Sequence, residues 1–144
     1  MKRLMGTSND VTLTMLRLIL GVVFFAHGAQ KLLGWFGGYG FHGTMGFLEH
    51  VGLPAPVALL VICTEFFGGL GLIVGLLTRI AALGIGGEMI GALFMVHLPN
   101  GFFMNWTGNQ KGEGFEYHLL AIAVAAVLLL RGAGKFSADH ALSK

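Results

Sequence analysis

Arg17, Glu65 and Glu88 each lie well inside a long apolar run. At bilayer depth an ionisable group costs several kcal/mol unless a partner or water faces it. Arg17 therefore calls for a carboxylate on another helix, and Glu65 and Glu88 are the candidates. With ~1.5 Å of rise per residue, Arg17 lies ~9 Å into its run, Glu65 ~15 Å from either edge of its own and Glu88 ~12 Å above Ile80. All three can then meet near the midplane. One cation against two carboxylates leaves a negative charge in low dielectric, so one glutamate pairs with Arg17 and the other holds a proton. Glu65 is the better partner, because its run neighbours the first in sequence, and Glu88 becomes the candidate proton carrier. Arg17, Glu65 and Glu88 are thus the candidate catalytic residues. The same trio could equally be a structural ion pair that fixes helix order.

A second polar layer lies where the runs end. His27, Gln30 and Lys31 close the first, His97 and Asn100 close the third, and Glu116 and His118 open the fourth. His27 and Lys31 are four apart and share a helix face. Imidazole, ammonium and carboxylate groups in one layer can hydrogen-bond the carbonyls of a quinone and exchange protons with it. His27, Lys31, His97, Glu116 and His118 are the candidate substrate-binding residues, with Trp35 among the aromatics that could cover the ring. The plainer reading is ordinary interfacial polarity, since lysines snorkel and histidines are common at membrane edges. His27, His97, Glu116 and His118 are the metal-ligand candidates, but no pair has H-x-x-x-H spacing and no metal is expected. His42, His50 and His140 read as solvated.

These residues are positioned by four apolar segments at about 11–33, 55–77, 80–98 and 114–131. With 55% of residues hydrophobic and 11% charged, the chain reads as a membrane protein, since soluble domains are about one-quarter charged. The expected fold is all-α: a single domain forming a four-transmembrane-helix bundle with two interfacial outer loops. Those loops, 34–54 and 99–114, are rich in glycine and aromatics that suit the membrane–water interface. Thr44 can cap a short helix running to Val51. Residues 117–130 give only ~21 Å of helix, so the fourth helix should begin near Glu113 or Gly114. Arg17 interrupts the first run and Lys31 follows it closely, unlike a cleaved signal, so the segment reads as retained.

Basic residues set the orientation. With four spans, Lys2, Arg3, Arg79, Arg131, Lys135 and Lys144 fall on one side and Lys31 and Lys111 on the other, so both termini should be cytoplasmic. A net charge of +2 spread this way points to topology and not to nucleic acid. The single cysteine, Cys63, sits in an apolar run and reads as a small hydrophobe. Gly71 with Gly75, and Gly87 with Gly91, have the four-residue spacing that lets helices approach closely in lipid. There is no G-x-G-x-x-G fingerprint, phosphate loop or C-x-x-C pair.

The run RLILGVVFFAHGAQKLLGWFGGYGFHGTMGFLEHVGLPAP, followed by EFFGGLGLIVGLLTRIAALG, NGFF, GFEYHLLAIAV and GAGKFSADHAL, resembles the DoxX family of membrane proteins over nearly the whole chain. The resemblance implies a compact four-helix protein of the bacterial inner membrane. Relatives are associated with thiosulfate:quinone oxidoreductase, redox stress, thiol balance and the detoxification of quinones and catechols. Arg17, His27, Lys31, Glu65 and Glu116 stand where this sequence matches the family pattern. The first expectation is therefore a subunit of a quinone-linked oxidoreductase, binding a quinone or phenolic small molecule near the outer face. Quinone is the one cofactor expected, and electrons would come from a redox protein partner or a small molecule. The alternatives are a non-catalytic scaffold for redox enzymes and, third, a proton-coupled transporter, whose pathway would need a homodimer.

Overall fold

The computed structural model describes residues 5–143, so Lys2, Arg3 and Lys144, counted above for orientation, lie outside the described residues. Among the described residues six α-helical segments follow one another, with a 3-10 turn (Trp35–Gly37) after the first and no strand. They are α1 (Val11–Leu33), α2 (Gly40–His50), α3 (Ala55–Val74), α4 (Thr78–Asn100), α5 (Glu116–Arg131) and α6 (Ala138–Leu142). Three of them, α1, α3 and α4, are long and apolar enough to cross a membrane.

The helix ends follow local chemistry. Asp10 caps α1 by accepting from Thr12 N–H at 2.8 Å, and Gly34, at φ 73°, ends it with a left-handed turn. α2 begins at Gly40, a turn before the expected Thr44 cap. Tyr39 is already in a right-handed turn, and Thr44 is buried within the helix. α5 starts at Glu116 and not at 113 or 114. The amides of Phe115 and Glu116 donate to the Gly101 and Phe102 carbonyls of the preceding loop, which holds Phe115 outside helical geometry. Its 16 residues make ~24 Å of helix, short of the ~30 Å apolar core.

α1 packs along α3, α4 packs along α5, and α1 also touches α5. Leu20, Phe24, Leu72, Ile85, Met89 and Leu128 fill the centre. Between helices in lipid the drive is close van der Waals fit, so glycine placement decides where backbones meet. A Cβ on Gly28 would overlap the backbone of Phe66, and one on Gly69 would overlap that of Phe25. The expected pairs serve otherwise. Around Gly87 and Gly91 a Cβ would meet nothing within 4 Å, and at Gly75 it would strike Ser137 and Arg17. α3 and α4 approach each other at Gly84, where a Cβ would stand 2.9 Å from Thr64 Cγ2. Beyond that point they part, and the Ala55–Cys63 half of α3 packs on α1 and α2 instead.

Arg17 pairs with neither glutamate, contrary to expectation. Its guanidinium donates to the carbonyls of Leu72, Ile73 (2.9 Å), Ala133 (3.0 Å) and Phe136 (2.6 Å), and the residue is 1% exposed. The reason is depth. α3 ends at Gly75 (φ 74°), short of the expected Leu77, so its last carbonyls face Arg17 and their partial negative charge supplies the counterpart. Arg79 repeats the device, donating to the Leu129 and Leu130 carbonyls at the end of α5 and to that of Gly6 before α1. Asp139 completes this end of the bundle. Its buried carboxylate accepts from Leu77 and Thr78 N–H at 2.8 and 2.9 Å and so caps α4.

Candidate functional site

About four turns of α1 beyond Arg17, Lys31 Nζ donates to Glu65 Oε2 and forms the single ion pair among the described residues. Lys31 belongs to the last turn of α1 and is partly exposed, whereas Glu65 is 3% exposed on α3. α3 widens to a π-turn over Thr64–Gly68, and Glu65 sits in that turn. Such turns are rare and frequent at functional sites, because they insert a residue that re-aims its neighbours. α4 has one too, over Leu93–His97.

Between the parted halves of α3 and α4 lies a cavity of about 880 Å³. Its walls are mostly apolar, with Val57, Leu60 and Val61 from α3 and Leu83, Gly87 and Met95 from α4. Phe47 and Leu48 of α2, Val51 just after it and Met104 of the second loop close it toward the α2 end. At its polar side stand Lys31, Glu65, Glu88, His27 and Tyr117. Glu88 lies within hydrogen-bond reach of the Glu65 carboxyl, and its Oε2 is buried away from every other donor among the described residues. Among the described residues Lys31 is the only lysine or arginine on the lining, where Glu65 and Glu88 share it while Glu113 is engaged by the Asn105 N–H of the second loop. A large apolar pocket with a few convergent polar groups is the usual form of a small-molecule site.

Three histidines also border the cavity. His97 and His118 stack with ring centroids 4.0 Å apart. His97 Nδ1 donates to the Glu113 carbonyl at 2.9 Å, while His118 is buried with Nδ1 unpartnered. His27 lies 6.5 Å from Tyr117, ring to ring, and is exposed to the cavity. A smaller cavity of about 290 Å³ lies on its other flank, lined by Gln30, Tyr39 and Thr44, and shares His27, Lys31 and Phe47 with the first. Among the described residues no three His, Cys, Asp or Glu side chains gather as a metal site.

The DoxX family model matches residues 12–98, more than half of the chain and the part that builds α1 to α4. The chain belongs to the DoxX family. A Bacillus subtilis relative that carries the name "Putative oxidoreductase CatD" is 32% identical over 86% of this chain and 83% of its own. The Escherichia coli inner membrane protein YqjF is 29% identical over 94% of this chain and 95% of its own. No solved structure matches.

In this DoxX-family protein the predicted site residues divide into three places. Glu65, Glu88, His27, Lys31, His97 and His118 gather on the cavity; Arg17 belongs to the far end of the bundle. Trp35 is exposed against Phe36 and lines neither cavity. Glu116 is likewise off the lining. It accepts from Met104 N–H at 2.8 Å and Trp106 Nε1–H at 3.3 Å, so it fixes the loop that carries Met104 onto the cavity. Tyr117 was missed by sequence reasoning, although it stands between two residues that were chosen. Gly87 and Gly91 were read as packing residues, and only the parting of α3 from α4 turns them into cavity wall.

Proposed function

We propose that this DoxX-family protein is the quinone-binding membrane component of an oxidoreductase in the bacterial inner membrane. In this reading α5 is a fourth span, both termini are cytoplasmic, and the polar side of the cavity lies toward the outer face. The observation that carries the proposal is the buried Glu88 carboxyl held against the Lys31–Glu65 pair in an apolar cavity large enough for a ring. The word "oxidoreductase" in the name of the Bacillus subtilis relative agrees with it.

The chemistry follows from the groups at hand. A quinone accepts two electrons and two protons to become a hydroquinone; the electrons come from a partner redox protein or a small reductant. Lys31 donates a hydrogen bond to one carbonyl oxygen and stabilises the charge that builds there on reduction. Glu88 delivers one proton to that oxygen, and His27, which borders both cavities, passes the second from water in the smaller cavity to the other oxygen. His97 and His118 line the cavity beside Tyr117, and Glu116 holds the loop that carries Met104 onto it.

Calorimetric titration of the protein in lipid nanodiscs with a tailless benzoquinone tests this. Saturable binding is expected, weakened at least tenfold by Lys31→Met and by Glu88→Leu. Absence of saturable binding to the folded wild-type protein would overturn the reading.

A further inference from the structure

Gly87 and Gly91 stand on α4 with nothing within 4 Å of where a Cβ would be. Glycine inside a helix costs about 1 kcal/mol relative to alanine, and a packing contact usually explains it. Here none does. The two are four residues apart, so they share one face, about 6 Å apart along the axis. That face borders the cavity. Immediately below, Gly84 meets Thr64 and closes the gap between α3 and α4.

The rim of this gap is apolar and exposed. Val57 and Leu60 on α3, and Leu83 and Met95 on α4, all line the cavity and all present surface on helices apolar enough to cross a membrane. The other approaches are covered by α2 and by the Met104 loop. Lys31 and His27 from α1 and Tyr117 and His118 from α5 bring polar groups to the lining from outside this rim, and Glu65, Glu88 and His97 add theirs from α3 and α4. The cavity is therefore graded, polar toward α1 and α5 and apolar toward the α3–α4 opening.

We propose that the cavity receives its ligand sideways from the bilayer, and that Gly87 and Gly91 keep open the slot for its hydrocarbon tail. The ligand class is a lipid-dissolved amphiphile with one compact polar ring and a long flexible chain, as distinct from a water-soluble phenol arriving through the outer loops. This rests on the ring-binding reading above and adds the direction of access and the residues that select for the tail. A leucine at either glycine fills the slot.

The experiment compares a tailless benzoquinone with a decyl-substituted one, titrated against wild type, Gly87→Leu and Gly91→Leu in nanodiscs. Decyl binding should fall at least tenfold more than tailless binding in the variants. Equal loss of both ligands, or loss of neither, would overturn the slot. Failure of the tailless compound to bind wild type would instead overturn the ring-binding reading itself. A decyl benzoquinone with a photoreactive diazirine at the tail end needs no variant. It should label peptides covering 55–61 and 83–97, and excess unlabelled decyl compound should suppress the label. Labelling confined to 34–50 or 101–114 would overturn lateral access, and labelling that the competitor does not suppress would mean the slot holds any acyl chain.

Discussion

Lys31 Nζ, at the end of α1, donates to Glu65 Oε2 in the π-turn of α3, and this one contact ties the two most closely packed helices together at the polar edge of the cavity. A partly buried pair of this kind is costly to break one partner at a time, because the survivor keeps its charge without a counterion.

The pair should show that asymmetry. Glu65 is nearly inaccessible, so Lys31→Met should destabilise by about 3 kcal/mol, whereas the double variant Lys31→Met/Glu65→Leu should recover most of the loss. Chemical denaturation in mixed micelles measures this, and equal loss in the single and double variants would contradict it.

Arg17 should prove structural. Its four carbonyl contacts need the forked guanidinium, which an ammonium cannot reproduce. Arg17→Lys should cost about 2 kcal/mol in the same denaturation experiment, from hydrogen bonds worth about 1 kcal/mol each. Quinone affinity of the folded fraction should be unchanged, and a drop in that affinity at constant stability would assign Arg17 to the site.

The link between α3 and α4 stores strain that Asp139 holds in place. Leu77 has φ 52°, a left-handed conformation costly for a branched side chain, and its N–H is one of the two that Asp139 accepts. Asp139→Ala should lose about 1–2 kcal/mol with the cap. Leu77→Gly should gain up to about 1 kcal/mol by relieving the turn. Thermal unfolding distinguishes the two; a neutral Asp139→Ala would count against the cap.

The glycines give a contrast on one scale. Gly28→Ala drives a methyl into the Phe66 backbone and should cost more than 2 kcal/mol or prevent folding, whereas Gly87→Ala meets empty space and should be neutral or stabilising by up to about 1 kcal/mol. Expression and thermal unfolding of the two variants check this, and similar behaviour of both would deny the parting of α3 and α4.

The DoxX membership and the apolar helices were legible in the sequence because hydropathy and the long motif run need no tertiary knowledge. The gathering of His27, Lys31, Glu65 and Glu88 was legible in type but not in pairing. Depth counted by uniform helical rise brings Arg17 level with Glu65. It takes no account of the turn at Gly75, which ends α3 and brings carbonyls to the guanidinium. Nor does it register the π-turn that aims Glu65 at Lys31. Glycine spacing misled for a related reason: four-residue repeats mark a smooth face, and only the partner helix decides whether that face is packed or open. Gly21, Gly28 and Gly69, which do bring backbones together, carry no such local repeat.

The central claim is that the parted halves of α3 and α4 hold a quinone-like ring against Lys31 and Glu88. The most direct measurement is a structure of the protein in native lipid, prepared with the decyl benzoquinone. The account predicts planar non-protein density within hydrogen-bond distance of Lys31 Nζ or Glu88 Oε2, with a tail passing Gly87 and Gly91 into the bilayer. Closed helices, with Gly87 and Gly91 packed on α3 and no density between them, would contradict it.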